Sequence, residues 1–153
     1  MTAIRIRALD HIVLRVVDVE RSLRFYCDVL GCTEERRIEP LGLIQLRAGA
    51  SLIDLVDVRA PLGQAGGAAP GEQGRNVDHF AVELEQFDGE AIAEQLAAHG
   101  IEAGEVAVRY GARGNGPSLY IRDPDGNGVE LKGPPTGPPP PTAADRRDDW
   151  GNP

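Results

Sequence analysis

Histidine and carboxylate side chains recur at matching places in two similar stretches of this chain. His11 lies in LDHIVL and Asp54 in SLIDL, and further along the chain His79 lies in VDHFAV and Glu130 in NGVEL. The histidines are 68 residues apart and the carboxylates 76, which indicates a duplicated unit with a longer loop in its second copy. If the copies fold about a pseudo-two-fold axis, the four side chains converge. Two imidazoles and two carboxylates would suit a divalent metal ion.

The first copy has to place its histidine on a strand. Residues 8–16 alternate in polarity, which puts His11 and Arg15 on one face and apolar side chains on the other. The remaining predicted elements of this copy are a helix that Asp18 caps and Gly31 ends, followed by strands near 42–48 and 51–58. The histidine face is thus predicted to be separate from the packing face.

The second copy is predicted to repeat this order. Its predicted elements are a strand at 77–84, a helix from Asp88 to Gly100, a strand near 105–109, a loop at 110–116, a strand at 117–122, a turn at 123–128 and a strand at 129–132. The turn DPDGNG combines Pro, which fixes φ, with Gly, which permits positive φ. Each half is therefore predicted to be β-α-β-β-β, and the whole to be an α+β fold.

Two segments lie outside these predicted units. Residues 60–76 are rich in Gly and Pro without periodicity, so they form either a lid over a ligand or a passive linker. Residues 133–153 are rich in Pro and are predicted to be a tail, because they cannot build a core. Trp150 is expected to be an unanchored aromatic of this tail.

Composition restricts the partners and the compartment. The chain has 153 residues, 41% of them hydrophobic, which is enough for one domain with a core. A net charge of −8 argues against nucleic acid and an anionic membrane surface as partners. No apolar run reaches membrane-spanning length and the first residues do not resemble a signal peptide, so we expect a cytoplasmic protein. Cys27 and Cys32 are expected to be reduced thiols.

Three separated motifs carry a family resemblance. They are LDHIVLRVVDVERSLRFYCDVLG at 9–31, VDHFAVEL at 77–84 and SLYIRDPDGNGVEL at 118–131. Their order along the chain is typical of the vicinal oxygen chelate (VOC) superfamily. This superfamily includes glyoxalase I, extradiol dioxygenases, fosfomycin-resistance proteins and bleomycin-binding proteins. The resemblance implies a glyoxalase-like fold, in which two tandem modules form a curved mixed sheet around a metal cavity. The implied organisation is a single domain over 1–132, with module one at about 7–58, the linker at 60–76, module two at about 77–132 and the tail at 133–153.

The resemblance also implies a role for each recurring residue. His11 and His79 match the first-strand histidines of the two modules, and Glu130 matches the last-strand glutamate. Asp54 stands where glyoxalase I enzymes have a glutamate, so it would bind the metal either directly or through water. The implied cofactor is one divalent ion of zinc, nickel, cobalt, manganese or iron.

The implied activity is that of a glyoxalase I-like lyase or isomerase. Such an enzyme acts on a small chelating, oxygenated substrate through a metal-stabilised enediolate. Glu130 is the first choice for the base and Asp54 the second, because the shorter side chain has less reach. Arg15 and Arg75 match arginines that bind glutathione in some relatives, so glutathione is a candidate cosubstrate. Val58 stands where those relatives have an asparagine.

Three other activities of the superfamily stay open. An extradiol-type dioxygenase would commonly be about twice this length, and a fosfomycin thiol transferase would carry a potassium-binding loop. A non-catalytic, bleomycin-type binding protein would not need both histidines. The resemblance favours a homodimer that binds a small molecule. Across such a dimer, His11 and Asp54 of one chain could face His79 and Glu130 of the other.

Overall fold

Two copies of one β-α-β-β-β unit make up the fold. The computed structural model describes residues 4–138, so the predicted tail beyond Pro138, including Trp150, lies outside the described residues. Module one consists of β1 (His11–Val16), α1 (Val19–Leu23), β2 (Thr33–Ile38), β3 (Leu43–Ala48) and β4 (Ser51–Asp57). Between these elements lie a π-helical continuation of α1 (Arg24–Val29) and a 3-10 turn (Glu39–Leu41).

Module two follows a linker that itself contains the short helix α2 (Pro61–Gln64). Its elements are β5 (His79–Glu83), α3 (Gly89–Ala98), β6 (Ala107–Gly111), β7 (Gly114–Arg122) and β8 (Gly128–Lys132). The Asp18 and Asp88 side chains cap α1 and α3 as predicted, since each accepts from backbone N–H groups of the first helical turn. Gly31 and Gly100 follow the two helices with positive φ, which confirms both predicted helix ends.

The two four-stranded sheets have the same topology. Their strand orders are β1-β4-β3-β2 and β5-β8-β7-β6. In each sheet the first strand pairs in parallel with the last, and the remaining pairs are antiparallel. The strand that carries a predicted histidine therefore lies directly beside the strand that carries a predicted carboxylate.

One apolar core extends through both modules. Leu14 and Val16 of β1 are fully buried, whereas the His11 side chain, on the other face, is 47% exposed. Leu96 of α3 and Val129 of β8 belong to the same buried cluster as these β1 residues. This arrangement confirms the predicted separation of a packing face from a histidine face in β1.

Two local predictions differ from the structure. Residues 33–38, for which no strand is predicted from the sequence, form β2. This edge strand has charged side chains, such as Glu34 and Glu35, in place of an apolar alternation, and they pair with arginines. The predicted loop at 110–116 is instead a tight turn between β6 and β7, made possible by positive φ at Gly114.

A buried carboxylate joins the two modules. Asp123, in the turn between β7 and β8, accepts a hydrogen bond of 2.7 Å from the Tyr26 hydroxyl of module one. It also accepts hydrogen bonds from the backbone and side-chain nitrogens of Asn127. Burial, followed by the charge of Asp123, raises the pKa of Tyr26 far above its ordinary range, so this hydroxyl remains a donor.

The outer edge of β1 is hydrogen-bonded to side chains of the linker and of module two. The Asn76 amide accepts from the Arg15 backbone N–H and donates to the Arg15 carbonyl. The Val17 N–H donates to the carboxylate of Asp125. These bonds fix the β1 edge against the start of β5 and the β7–β8 turn.

Both cysteines are free thiols. Cys27 is half-buried and Cys32 is buried, and burial raises the pKa of Cys32 to about 11. Within residues 4–138 none of the helices has the length and apolar character needed to cross a bilayer.

The Tyr26–Asp123 hydrogen bond should contribute measurably to stability. We expect Tyr26→Phe to lower the free energy of unfolding by about 1–3 kcal/mol, because a charged acceptor loses a buried donor while packing is kept. Denaturant melts monitored by circular dichroism would measure this change. Tyr110→Phe is the matched control, since Tyr110 is 63% exposed. Equal stability of Tyr26→Phe and wild type would contradict the proposed contribution of this bond.

Candidate metal and substrate site

Asp54 is a buried carboxylate on the histidine face of module one. It lies opposite Val13 of β1 and Gln45 of β3, so it shares a face with His11, two residues before Val13. The Gln45 side-chain N–H donates to Asp54 Oδ2 over 2.9 Å. Asp54 is only 3% exposed, yet Oδ1 has no hydrogen-bond partner among residues 4–138.

Glu130 occupies the equivalent position in module two. It lies opposite Ala81 of β5 and Tyr120 of β7, and it shares a face with His79. The Tyr120 hydroxyl donates to Glu130 Oε2 over 3.3 Å. Glu130 is 6% exposed, and its other oxygen, Oε1, has no hydrogen-bond partner in the described part of the chain.

The duplication therefore leaves one unpartnered oxygen on each of the two predicted carboxylate ligands, Asp54 and Glu130. A third such oxygen among the described residues, Asp125 Oδ2, lies in the β7–β8 turn. A buried ionised carboxylate that lacks a hydrogen bond is costly unless a cation neutralises it. In both modules the neighbouring strand supplies one donor to the carboxylate and leaves the second oxygen free. This arrangement fits a divalent cation, which carboxylate and imidazole groups readily bind.

Each histidine is oriented by the aspartate before it. His11 Nδ1 lies 2.7 Å from Asp10, and His79 Nδ1 lies 2.7 Å from Asp78. The hydrogen bond to Asp10, with a further contribution from Asp54, raises the pKa of His11. A carboxylate on one ring nitrogen is the usual way to orient a histidine whose other nitrogen binds a metal. Both histidines line a cavity of about 750 Å³.

The four predicted ligands lie in two pairs. His11 interacts electrostatically with Asp54, and His79 is connected to Glu130 through Tyr120, whose ring meets the imidazole edge-on at 5.3 Å. Among residues 4–138 of one chain, no group of three or more His, Cys, Asp or Glu side chains is placed to hold one metal ion. The structure thus brings the ligands together by module, and each module presents a half-site.

The two predicted substrate arginines have different surroundings. The Arg15 guanidinium donates to four carbonyl oxygens of the linker, those of Gly63, Gly66, Gly67 and Ala68, at 2.7–3.1 Å. A substrate carboxylate would have to replace these bonds. Arg75 has one weak hydrogen bond of 3.5 Å, to the Gly126 carbonyl, so its guanidinium is more available.

Several residues that surround Glu130 were not predicted from the sequence. Tyr120 also lies under the Arg109 guanidinium, which is 4.8 Å from the ring centroid. Lys132, two residues beyond Glu130 on the same face of β8, is buried and lines the same cavity of about 300 Å³. Gln45 and Tyr120 lie opposite the two predicted carboxylates in β-hairpins, but they differ in residue type, so the duplication does not mark them.

Comparison with known proteins identifies the family. The family model described as the glyoxalase/bleomycin resistance protein/dioxygenase superfamily matches residues 8–131. The chain belongs to this superfamily. Its two β-α-β-β-β modules are the VOC fold, as the sequence analysis predicted.

Several relatives of the VOC protein are similar over most of its length. Catechol-2,3-dioxygenase of Bacillus subtilis is 30% identical over 119 residues, which are 77% of this chain but only 38% of that protein. A crystal structure of a virulence protein from Salmonella typhimurium has a TM-score of 0.69 at 28% identity and covers 85% of this chain and 98% of its own. Lactoylglutathione lyase from Agrobacterium tumefaciens, at 24% identity and a TM-score of 0.57, covers 82% of this chain and 92% of its own and shares the fold.

Family membership gives the site a chemical context. VOC proteins bind small molecules, commonly use a divalent metal and often form dimers. The orphaned oxygens of Asp54 and Glu130 are consistent with that chemistry. The superfamily hosts several reactions, so membership alone does not assign one.

Arg15 should hold the linker in place. We expect Arg15→Met to increase hydrogen exchange of the backbone amides in residues 61–74, because four carbonyl oxygens lose their donors. Exchange measured by mass spectrometry would localise the change. Arg75→Met makes the same chemical change at a weakly bonded arginine and should leave the linker as protected as in wild type. Equal exchange in both variants would show that Arg15 does not restrain the linker.

Proposed function

We propose that this VOC protein is a divalent-metal-dependent enzyme of the glyoxalase I type, a lyase or isomerase acting on a small substrate with two adjacent oxygens. The observation that carries the proposal is the pair of buried, unpartnered carboxylate oxygens at equivalent positions of the two modules. Each belongs to a residue beside a histidine whose ring is already oriented by an aspartate. We assign His11, Asp54, His79 and Glu130 as the residues that hold the metal.

Glu130 is the proposed base. When bound, a divalent metal polarises the oxygens of the substrate as a Lewis acid. Glu130 would remove a proton from the carbon next to the substrate carbonyl and return it to the adjacent carbon. Glu130 lines a cavity of about 300 Å³, a size suited to a small ligand. Asp54 is the second candidate for the base, and its shorter side chain would give a slower reaction.

Glutathione is a candidate cosubstrate. Arg75, with a single long hydrogen bond, is the better placed of the two arginines to bind a glutathione carboxylate. Arg15 would contribute only if the linker released its guanidinium. Glutathione binding through Arg15 therefore predicts movement of residues 63–68, whereas binding through Arg75 alone, or a glutathione-independent reaction, does not require it.

An extradiol-type dioxygenase is the second candidate. Its support is the 30% identity to a relative named catechol-2,3-dioxygenase. The chain spans 38% of that relative, so the activity of the whole relative does not transfer directly. Two histidines and one carboxylate, here His11, His79 and Glu130, are also the ligand set of non-haem iron oxygenases. The bound metal would discriminate, because this chemistry needs iron or manganese.

We further propose a homodimer in which each site is shared. In such a dimer, the half-site of His11 and Asp54 would meet the half-site of His79 and Glu130 from a second copy. The proposal is supported by exposed apolar side chains around β1, where Leu9 is 76% and Val13 47% exposed. A second copy that covers this region would remove apolar surface from water while completing the ligand set.

Metal analysis tests the ligand assignment. We expect about one Ni, Co, Zn or Mn ion per chain in wild type after growth with mixed metals. Glu130→Gln and His79→Ala should weaken metal binding by more than about tenfold, since even loss of a residue that only supports a ligand has that effect. Elemental analysis, followed by a methylglyoxal–glutathione assay and a catechol assay, gives metal content and activity together.

The matched control for metal analysis is Glu83→Gln. Glu83 lies on the same face of β5 as His79, and its carboxylate accepts a hydrogen bond of 2.6 Å from Arg113. Because Glu83 is already paired, its replacement should leave the metal in place. Tight binding of one metal by Glu130→Gln would remove Glu130 from the ligand set. Iron with catechol turnover would favour the dioxygenase, and no metal even after titration would leave a binding protein.

Subunit mixing tests the shared site. In a mixed dimer of His11→Ala and His79→Ala chains, one site carries both substitutions and the other carries neither. Random mixing should therefore restore about a quarter of the wild-type metal content from two nearly empty proteins. Light scattering after size exclusion measures the dimer. A monomer, or no restoration in a confirmed mixed dimer, would contradict the shared site.

A further inference from the structure

Lys132 is a buried cation for which residues 4–138 contain no matching anion. The residue is 9% exposed, and its ammonium donates to the carbonyls of Arg109, at 2.7 Å, and Gly116, at 3.2 Å. These neutral oxygens take two of its three N–H groups, and no carboxylate in the described part of the chain forms an ion pair with it. Buried lysines are rare unless a charge partner is present.

The surrounding backbone leaves room for this side chain. Gly111 of β6 lies beside it, and a Cβ atom there would be 2.5 Å from Lys132 Cε. The alkyl chain of Lys132 thus passes over a glycine to reach the carbonyls of Arg109 and Gly116. This fit indicates a specific place for the ammonium rather than a surface lysine that happens to be covered.

The ammonium is close to the proposed base. Lys132 and Glu130 are two residues apart on one strand, so both side chains lie on the same face. Both line the cavity of about 300 Å³, whose other walls include Tyr110 and the Glu83–Arg113 ion pair. Because Arg113 is already neutralised by Glu83, Lys132 is the cation of this cavity that lacks a counter-charge.

We propose that Lys132 binds an anionic group of the substrate, a carboxylate or an equivalent oxyanion, in this cavity. The proposal rests on the proposed function, because it assumes that Glu130 faces the same substrate. It narrows the substrate class to small molecules that carry two chelating oxygens and a separate negative charge. The third ammonium N–H would donate to the anion, which also supplies the missing counter-charge.

Paired probes test the charge preference. The probes are 3,4-dihydroxybenzoate and catechol, which share the two adjacent oxygens and differ by one carboxylate. With zinc-loaded protein, calorimetry should show tighter binding of 3,4-dihydroxybenzoate. Lys132→Met should weaken that binding by about 10- to 100-fold, the effect of losing a charge-assisted hydrogen bond, and leave catechol unchanged. An equal loss for both probes, or no preference in wild type, would overturn the proposal.

Two further variants separate charge at the site from other effects. Arg24→Met removes an exposed positive charge from module one and should leave both affinities unchanged. Gly111→Ala keeps the lysine but crowds its Cε, so it should also weaken 3,4-dihydroxybenzoate selectively. If Lys132→Met does not fold, Gly111→Ala carries the test alone, and unchanged selectivity in that variant would overturn the proposal.

A metal-free measurement separates this proposal from the proposed function. Benzoate titrated into chelator-treated, ¹⁵N-labelled protein should shift the amide signals of residues 109–116 saturably in wild type and in Arg24→Met. Lys132→Met should show no such shifts, and shifts that persist there would overturn the anion site. If wild type shows these saturable shifts but takes up no metal when metal is added back, the anion site is supported and the metal-dependent enzyme is contradicted.

Discussion

The buried carboxylate of Asp123 is the interaction on which the relation between the two modules depends. It accepts hydrogen bonds from Tyr26 in module one and from Asn127 at the start of β8. Asn127 in turn accepts from the Asn76 backbone N–H, just before β5. One carboxylate therefore connects the π-helical segment of module one with the turn before β8 and, through Asn127, with the entry to β5. The turn before β8 and the entry to β5 in turn position Glu130 and His79.

Much of the fold could be predicted from the sequence because the duplication carries strong local signals. Residue type and spacing predicted the helix caps Asp18 and Asp88, the helix ends Gly31 and Gly100, and the DPDGNG turn. β2 could not be predicted, because an edge strand held by ion pairs has no apolar periodicity. The β6–β7 turn was missed since its glycines resemble those of a flexible loop.

The candidate site was predictable to the extent that it is repeated. His11, Asp54, His79 and Glu130 were recognisable because each has a counterpart in the other module. Tyr120 and Lys132 have no chemical counterpart, since Gln45 and Val56 occupy the equivalent places beside and beyond Asp54. Their importance depends on burial and on contacts across strands, which spacing along the chain does not reveal. The duplicated residues thus define the shared chemistry, and the unduplicated ones make the two faces different.

The Asn76 amide on the edge of β1 has a consequence for solubility. An open strand edge offers free N–H and C=O groups to any other extended chain and so promotes aggregation. Asn76 occupies both backbone groups of Arg15, and Asp125 occupies the next N–H, at Val17. One side chain from the linker and one from the second module therefore occupy backbone groups that a neighbouring strand would otherwise bind, and they add no new strand edge. The protein keeps two short, separate sheets without leaving this part of β1 open to an intruding strand.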